Sequence, residues 1–173
     1  MAMNNPVINI SVNDERWEEI LPNADVLCSN ILQTALCFIN KFDPSDLFTS
    51  NKPMSLNLCL SNDEEVHYLN KEFRNKDKPT NVLSFANIDD PEFDLSYIND
   101  ELELGDIIIS LETMQNEASQ KNIPFEHHFS HLLVHGILHL LGYDHIEDDE
   151  ADFMEDLETK ILNILNIPNP YQE

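Results

Sequence analysis

Positively charged side chains are scarce in this chain. Its 173 residues include 33 Asp and Glu but only nine Lys and Arg, for a formal net charge of −24 at pH 7. Such a polyanion is repelled by other polyanions, which argues against general, charge-driven binding of nucleic acid. Four of the nine cations nevertheless fall within eight residues: Lys71, Arg74, Lys76 and Lys78. This cationic segment is interpreted either as a phosphate-contacting site or as a solvated helix end favoured by the helix dipole.

The chain also has few cysteines and no long apolar run. Cys28 and Cys37 lie on one predicted helix, about 13 Å apart along its axis, which is beyond the reach of a disulfide. Reduced thiols in a cytoplasmic protein are the simplest interpretation. The apolar segment from Leu132 to Leu141 is too short to cross a bilayer, and residues 1–10 lack the pattern of a secretory signal. We therefore expect a cytoplasmic protein that does not engage a membrane.

The pattern of apolar residues predicts both strands and helices. Alternation between turn residues predicts four strands: Val7–Val12, Met54–Leu60, Val82–Ala86 and Leu104–Ser110. Helical periodicity and capping residues predict five helices: Asn23 to about Phe42, Asn62 to Phe73, 111–121, 125–141 and 149–165. Helices between strands imply parallel neighbours, whereas the helix-free link between the third and fourth strands permits an antiparallel pair.

These elements predict one α+β domain over residues 1–173, an α/β layered structure in which about five helices pack on a four-stranded mixed sheet. In the helix that follows Asn23, the buried positions are expected to include Val26, Ile31, Ala35 and Phe38, and the helix that follows Asn62 carries Val66, Leu69 and Phe73. Two acidic clusters, Asp89–Glu103 and Glu147–Glu158, are expected to be a solvated loop and a solvated helix face.

The most informative segment runs from His135 to His145 and reads HGILHLLGYDH. His135 and His139 are four residues apart in a predicted helix, so their rings project from the same face. Gly142 is suited to end that helix in the left-handed conformation, which returns His145 toward the same point. Three imidazoles with an open fourth position are typical of a catalytic zinc site. We therefore expect one Zn²⁺ per chain, although nickel and copper also bind such sites.

The histidine spacing matches the zinc ligands of metzincin peptidases, with one break in the pattern. The peptidase motif requires Glu directly after the first histidine as general base, and this chain has Gly136. Metal-dependent hydrolysis therefore stays favoured, whereas peptide hydrolysis does not. No other general base is evident in the sequence.

The remaining histidines receive no metal role. His131 shares a helix face with His139, but the two are about 12 Å apart along the axis, so one ion cannot bind both. His131 is therefore interpreted as a neighbour of the site. His127 and His128 are expected to face solvent, and His67 lies on a different predicted helix.

Two aspartates are candidates for orienting a metal-bound histidine through its distal N–H. Asp144 lies beside His145, and Asp106 lies in the fourth predicted strand. Each has an ordinary alternative, since Asp144 suits a turn and Asp106 suits a hydrogen bond at a strand end. The sequence leaves both interpretations open.

Two segments resemble the signatures of the YbeY family of bacterial single-domain, metal-dependent endoribonucleases. They are HGILHLLGYDH at 135–145 and LNKEFRNKDKPTNVLSF at 69–85, and LGDIIIS at 104–110 resembles a third family segment. The resemblance implies cleavage of single-stranded ribosomal RNA precursors, particularly in small-subunit maturation, and a role in ribosome quality control. It also makes the ribosome or ribosomal proteins possible partners.

Residue by residue, the resemblance implies His135, His139 and His145 as metal ligands and Arg74 as the functional arginine. The chain departs from the family pattern at Asn75, where Gly is usual, and at Asn81, where Asp is usual. The first departure is expected to alter the loop, and the second puts in doubt a carboxylate role there.

Three imidazoles around zinc lower the pKa of bound water to about 7, and the Arg74 guanidinium has the fork geometry to hold two phosphate oxygens. The nucleophile is left open between metal-bound water, with or without an unidentified carboxylate, and the 2′-OH of the substrate.

Two alternative functions stay open as well. One is a metallohydrolase acting on another substrate, and the other is a ribosome-assembly factor whose metal is mainly structural.

Overall fold

Four strands form one mixed sheet in the computed structural model, which describes residues 5–49, 52–94 and 101–172. The strands are β1 (Val7–Val12), β2 (Met54–Ser61), β3 (Val82–Ala86) and β4 (Leu102–Ser110). Their order is β1-β2-β4-β3, in which β2 is parallel to both β1 and β4 while β3 is antiparallel to β4. The predicted strands and their mixed pairing are confirmed. The edge position of β3 leaves part of its backbone open to other groups.

A bulge in β4 brings the edge strand close to its neighbour. The register between β2 and β4 shifts between Ser55 and Asn57, opposite Gly105, which has φ of +141°. A Cβ at Gly105 would lie 2.1 Å from the carbonyl oxygen of Phe85 on β3. Only glycine meets both requirements, the unusual φ and the close backbone approach.

The part of the chain that the structure describes contains seven α-helices and a short 3₁₀ helix at Asn87–Asp89. The α-helices are α1 (Arg16–Ile20), α2 (Ala24–Phe42), α3 (Asp46–Thr49), α4 (Asp63–Arg74), α5 (Leu111–Lys121), α6 (Phe125–Leu140) and α7 (Asp148–Ile164). The five predicted helices are confirmed. The helices α1 and α3 were not predicted because four or five residues are too few to show helical periodicity.

One face of the sheet carries the main core. Its side chains include Leu56, Leu58 and Leu60 of β2 and Ile107 and Ile109 of β4, each at most 1% exposed. They pack with α2 and α6, and α7 in turn packs against both helices. The opposite face is covered in part by α4, which contacts β3 and β4. Helix α6 is therefore buried on most sides, and its C-terminal end is held close to the edge strand β3.

One of the predicted buried positions is wrong. Val26 is 69% exposed, because it lies on the side of α2 opposite the buried stripe that includes Ile31 and Ala35. Phe73 of the helix after Asn62 is also 66% exposed. It lies in the last turn of α4, where its ring packs edge-to-face with the Phe85 ring of the edge strand. The acidic connection predicted over 89–103 lies partly outside the described residues. No helix in the described ranges is long and apolar enough to span a membrane.

Candidate metal centre

The C-terminal end of α6 turns the chain back as the sequence predicts. Gly142 has φ of +103° and donates its N–H to the carbonyl of His139 at 3.0 Å, while Tyr143 donates to Leu138 at 3.0 Å. These two hydrogen bonds form a Schellman motif with glycine at the left-handed position. The Tyr143 hydroxyl then donates to the carboxylate of Asp43 at the end of α2. The turn that carries His145 is thus fixed by backbone hydrogen bonds to α6 and by a side-chain hydrogen bond to the end of α2.

The structure brings His135, His139 and His145 together. One ligand atom from each histidine lies within 4.8 Å of those of the other two. The ring centroids are 4.5 Å apart for His135 and His139, 5.4 Å for His135 and His145, and 5.1 Å for His139 and His145. Among the described residues, this is the group of histidine, cysteine and carboxylate side chains whose geometry suits a metal ion.

The hydrogen bonds around the cluster fit a bound cation. The Nδ1 atom of His139 lies 2.9 Å from the carbonyl oxygen of Tyr143, which can only accept, so Nδ1 carries the proton and Nε2 presents a lone pair. Likewise Nδ1 of His135 lies 2.8 Å from the Glu158 carboxylate. The two Nε2 atoms then face each other at 3.0 Å, and their lone pairs repel unless a proton or a metal ion is shared between them. Burial and the neighbouring His135 lower the pKa of His139 to about 4, which disfavours the proton near neutral pH and leaves the metal ion as the better fit.

Close packing explains why glycine follows the first histidine. A Cβ at Gly136 would lie 3.0 Å from Cδ1 of Ile107 and 3.2 Å from Oγ of Ser84. Both neighbours belong to the sheet, and Ile107 is fully buried, so α6 can approach β3 and β4 this closely only without a side chain here. The position occupied by the catalytic Glu in peptidases is therefore a helix–sheet contact in this protein.

The two predicted orienting aspartates have ordinary structural contacts. Asp144 accepts a hydrogen bond from the backbone N–H of His145 at 2.7 Å within the turn. Asp106 accepts from the Asn57 side chain at 3.1 Å on the exposed surface of the sheet. For Asp144 the turn interpretation made from the sequence is the one that the structure supports. Asp106 lies in the middle of β4, so its hydrogen bond is made within the sheet and not at a strand end.

The carboxylate that contacts the cluster is Glu158 of α7, which sequence reasoning placed on a solvated helix face. That expectation is wrong for Glu158, which is 1% exposed. Burial alone would raise its pKa, but its contacts with the imidazoles of His131 and His135 outweigh that cost and lower the pKa to about 2. The sequence held a signal, since Glu158 falls at helical spacing among the buried residues Met154, Leu157, Ile161 and Leu162. A carboxylate within a buried apolar stripe is costly unless a hydrogen-bonding or charged partner is buried with it.

The other described histidines lie outside the cluster. Nε2 of His131 is 3.3 Å from the Glu158 carboxylate, and His67 pairs with Asp77 at 2.7 Å. The predicted solvent exposure of His128 is wrong, because its side chain is 1% exposed and contacts Glu117 of α5 at 2.9 Å. Packing of α5 on α6 covers His128, a tertiary contact that local sequence does not reveal.

The histidine cluster opens into a cleft of about 610 Å³ that also contains cations. Three of the four residues in the cationic segment line this cleft, namely Arg74, Lys76 and Lys78. The Arg74 guanidinium donates to the Ser84 carbonyl at 2.6 Å and lies 5.2 Å from the centre of the Phe85 ring. The edge strand β3 therefore positions Arg74 at the cleft opposite the helix that carries the histidines.

The two departures from the family pattern are accommodated locally. Asn75 ends α4 in the left-handed conformation with φ of 56°, a region that Asn tolerates better than most residues. The loop thus keeps the backbone conformation that favours glycine. Asn81 donates to the Glu117 carboxylate at 2.9 Å and accepts from the N–H of Val82 at 2.7 Å. An aspartate at position 81 would place two carboxylates in contact, so the amide suits this chain's own neighbour.

The α+β fold and the three-histidine cluster define a protein with a candidate metal centre at the end of a buried helix. Residues 14–166 match the family model described as endoribonuclease YbeY. A curated relative of that name from Sinorhizobium fredii is 44% identical over 168 residues, covering 95% of this chain and 91% of the relative. Another, from Paramagnetospirillum magneticum, is 40% identical over 166 residues and covers 96% of both chains. The chain belongs to the endoribonuclease YbeY family.

A solved structure supports the fold independently. The solution structure of a protein from Thermotoga maritima is similar to this one with a TM-score of 0.50 and 21% sequence identity. The match covers 96% of this chain and 99% of that one. At this identity the likeness shows the fold alone.

Proposed function

We propose that this chain is a zinc-dependent endoribonuclease that cleaves single-stranded ribosomal RNA precursors, particularly in small-subunit maturation, and contributes to ribosome quality control. One observation carries the proposal: the His135, His139 and His145 cluster opens into a cleft whose other wall bears Arg74, Lys76 and Lys78. Metal and cations in one cleft suit a phosphodiester, whose cleavage is helped by stabilising negative charge on its oxygens. Membership in the endoribonuclease YbeY family supports this reaction and an RNA substrate.

The three histidines would hold one Zn²⁺ per chain through nitrogen ligands, with a fourth position facing the cleft. When bound, zinc supplies a Lewis acid and lowers the pKa of coordinated water to about 7. Removal of the metal with a chelator is expected to abolish RNA cleavage, and added Zn²⁺ is expected to restore it.

Arg74 would contact the scissile phosphate. One of its N–H groups donates to Ser84, and a guanidinium has five donors, so others are available for two phosphate oxygens. Stacking on Phe85 and the bond to Ser84 fix the guanidinium before RNA binds, which reduces the ordering cost on binding. Lys76 and Lys78 would hold neighbouring phosphates as flexible point charges.

The nucleophile is either metal-activated water or the 2′-OH of the RNA. The two routes leave different ends, since attack by the 2′-OH gives a 2′,3′-cyclic phosphate and attack by water does not. Analysis of the cleaved ends by mass spectrometry distinguishes them. The same assay on an RNA with a 2′-deoxy nucleotide at the cut site provides the control.

The proposal treats residues 1–173 as a single metal-dependent endoribonuclease domain that acts in the cytoplasm. The free thiols of Cys28, Cys37 and Cys59 fit a reducing compartment. A net charge of −24 also favours delivery of the RNA by the ribosome or a ribosomal protein, because the chain as a whole repels free RNA.

The test is cleavage of single-stranded and duplex rRNA precursor fragments by protein purified without chelators, with zinc content measured on the same sample. We expect about one zinc per chain and cleavage confined to single strands. Cleavage of peptides or small phosphoesters instead would indicate another metallohydrolase. A protein that loses melting temperature on zinc removal but cleaves no RNA would indicate an assembly factor with a structural metal.

A further inference from the structure

The carboxylate of Glu158 has more partners than a simple ion pair requires. Its Oε1 atom lies 2.8 Å from Nδ1 of His135 and 3.3 Å from Nε2 of His131. Its Oε2 atom accepts a hydrogen bond from the Tyr171 hydroxyl at 2.7 Å. The Glu158 side chain is 1% exposed, so its carboxylate is shielded from water, and hydrogen bonds to such a group fix geometry strongly.

The directions of these hydrogen bonds follow from the chemistry of the partners. Since the Tyr171 hydroxyl donates to Glu158, its oxygen is free to accept from Nε2–H of His131 at 3.1 Å. The Nδ1 atom of His131 is buried and has no hydrogen-bond partner among the described residues. With a proton on Nε2, His131 donates to Tyr171 and leaves Nδ1 as an unpaired acceptor, which costs less than an unpaired donor. Glu158 is then left to accept from His135.

The end of α7 explains how Tyr171 reaches Glu158. Asn166 has φ of 62°, Asn166 donates to Asn163 at 3.1 Å and Ile167 donates to Leu162 at 2.9 Å, which is a Schellman turn. The chain then folds back, and Asn169 accepts from the N–H of Tyr171 at 2.8 Å. The Tyr171 ring packs edge-on against His131, 5.4 Å between centroids.

We propose that Glu158, held in place by Tyr171, is a positioning residue that keeps His135 in the tautomer with its proton on Nδ1 and its Nε2 lone pair directed into the histidine cluster. The segment after α7 is thereby part of the metal site. The consequence for metal affinity rests on the proposed function, whereas the tautomer does not. Carboxylates that orient a metal-bound histidine in this way typically contribute 10- to 100-fold to affinity.

Four variants separate positioning from charge and from folding. Glu158→Ala removes the acceptor, and Glu158→Gln removes the charge but keeps an acceptor oxygen. Tyr171→Phe removes only the hydroxyl that holds Glu158 and keeps the aromatic ring. It therefore tests the proposal even if Glu158→Ala does not fold. Asp156→Ala is the matched control, since it removes one carboxylate of the same helix that makes an exposed pair with Lys160.

The measurements are the tautomer of His135 in the metal-free protein, from imidazole ¹⁵N shifts, and the Kd for Zn²⁺, from competition with a chromophoric chelator. We expect the Nδ1–H tautomer in wild type, Asp156→Ala and Glu158→Gln, and its loss in Glu158→Ala. Zinc affinity should fall about 10- to 100-fold in Glu158→Ala, less in Glu158→Gln and Tyr171→Phe, and not at all in the control.

An Nε2–H tautomer of His135 in wild type would overturn the proposal, as would an unchanged tautomer in Glu158→Ala. Equal zinc affinity in wild type, Glu158→Ala and Tyr171→Phe would also overturn it. A wild-type protein that binds no zinc would contradict the proposed function instead, and the tautomer measurement would then decide on the positioning role alone.

Discussion

The two walls of the cleft are built in different ways. The histidine wall is built on the core: α6 is buried on most sides, Gly136 contacts the sheet, and the rings of His135 and His139 are fixed by hydrogen bonds that they donate to Glu158 and to the Tyr143 carbonyl. The cationic wall is the end of α4 and the loop after it, whose residues Arg74, Lys76 and Lys78 are exposed. Arg74 is held there by two contacts, with Ser84 and Phe85.

This difference in burial indicates that the two walls have different functions. A metal site needs ligands fixed to within tenths of an ångström, which a buried helix end provides. A binding surface for single-stranded RNA needs a positively charged groove along the backbone, which exposed cations provide. Substitutions in the histidine wall should therefore change metal content, and substitutions in the cationic wall should change RNA handling while the metal is retained.

The largest effect is expected for His139→Ala. Loss of one of three ligands should remove the metal and reduce RNA cleavage below detection, with the fold retained because His139 is only partly buried. His127→Ala is the matched control on the same helix and should cleave normally. RNA cleavage and circular dichroism check both variants, and full cleavage by His139→Ala would show that the histidine wall does not carry the chemistry.

Arg74→Ala should lower the cleavage rate by about 100- to 1,000-fold, the usual cost of removing one preorganised donor from a developing negative charge. Its zinc content should match wild type. Arg74→Lys should recover only a small part of the rate, because an ammonium lacks the fork that binds two oxygens. Single-turnover kinetics with saturating enzyme provides the measurement, and loss of zinc in Arg74→Ala would mean that the two walls are not independent.

Gly136→Ala tests the close packing of the histidine wall. In an exposed helix this change would stabilise the protein by about 1 kcal/mol, but here the new methyl group meets Ile107 and Ser84. We expect a net loss of about 1–2 kcal/mol in the free energy of unfolding, as for overpacked cores. Urea denaturation measures it. A more stable variant would show that α6 can move away from the sheet at little cost.

The smallest effects are expected for Lys76→Ala and Lys78→Ala. Each should weaken RNA binding modestly and reduce the slope of log affinity against log salt by about 0.7 for each phosphate of a single strand that the variant no longer neutralises. Lys41→Ala, which removes a cation of α2 outside this cleft, is the control. Fluorescence anisotropy at several salt concentrations, with metal-free protein to prevent cleavage, gives the slopes, and unchanged slopes would exclude these lysines from the RNA-binding surface.

Local patterns were enough to predict the sheet, five helices and the grouping of the three histidines. The spacing of His135 and His139 and the left-handed turn at Gly142 depend on residues close together in sequence. The resemblance to the YbeY family rested on two such local segments, and the match to the family model and to curated relatives confirmed it.

What the sequence did not reveal depends on packing between distant elements. Glu158 contacts a histidine 23 residues away, Tyr171 lies beyond the last helix, and His128 is covered by α5. The role of Gly136 likewise follows from how closely α6 approaches the sheet. Of these features, only the burial of Glu158 could have been inferred from the sequence, because this acidic residue falls within an apolar stripe of α7.

The most direct test of the histidine wall is a crystal structure of the zinc-loaded protein with anomalous data collected at the zinc edge. We expect one peak at about 2.0–2.1 Å from nitrogen atoms of His135, His139 and His145, with its fourth position toward the cleft that contains Arg74. A peak elsewhere, or a fourth protein ligand closing the site, would contradict the assignment of these three histidines as an open metal centre.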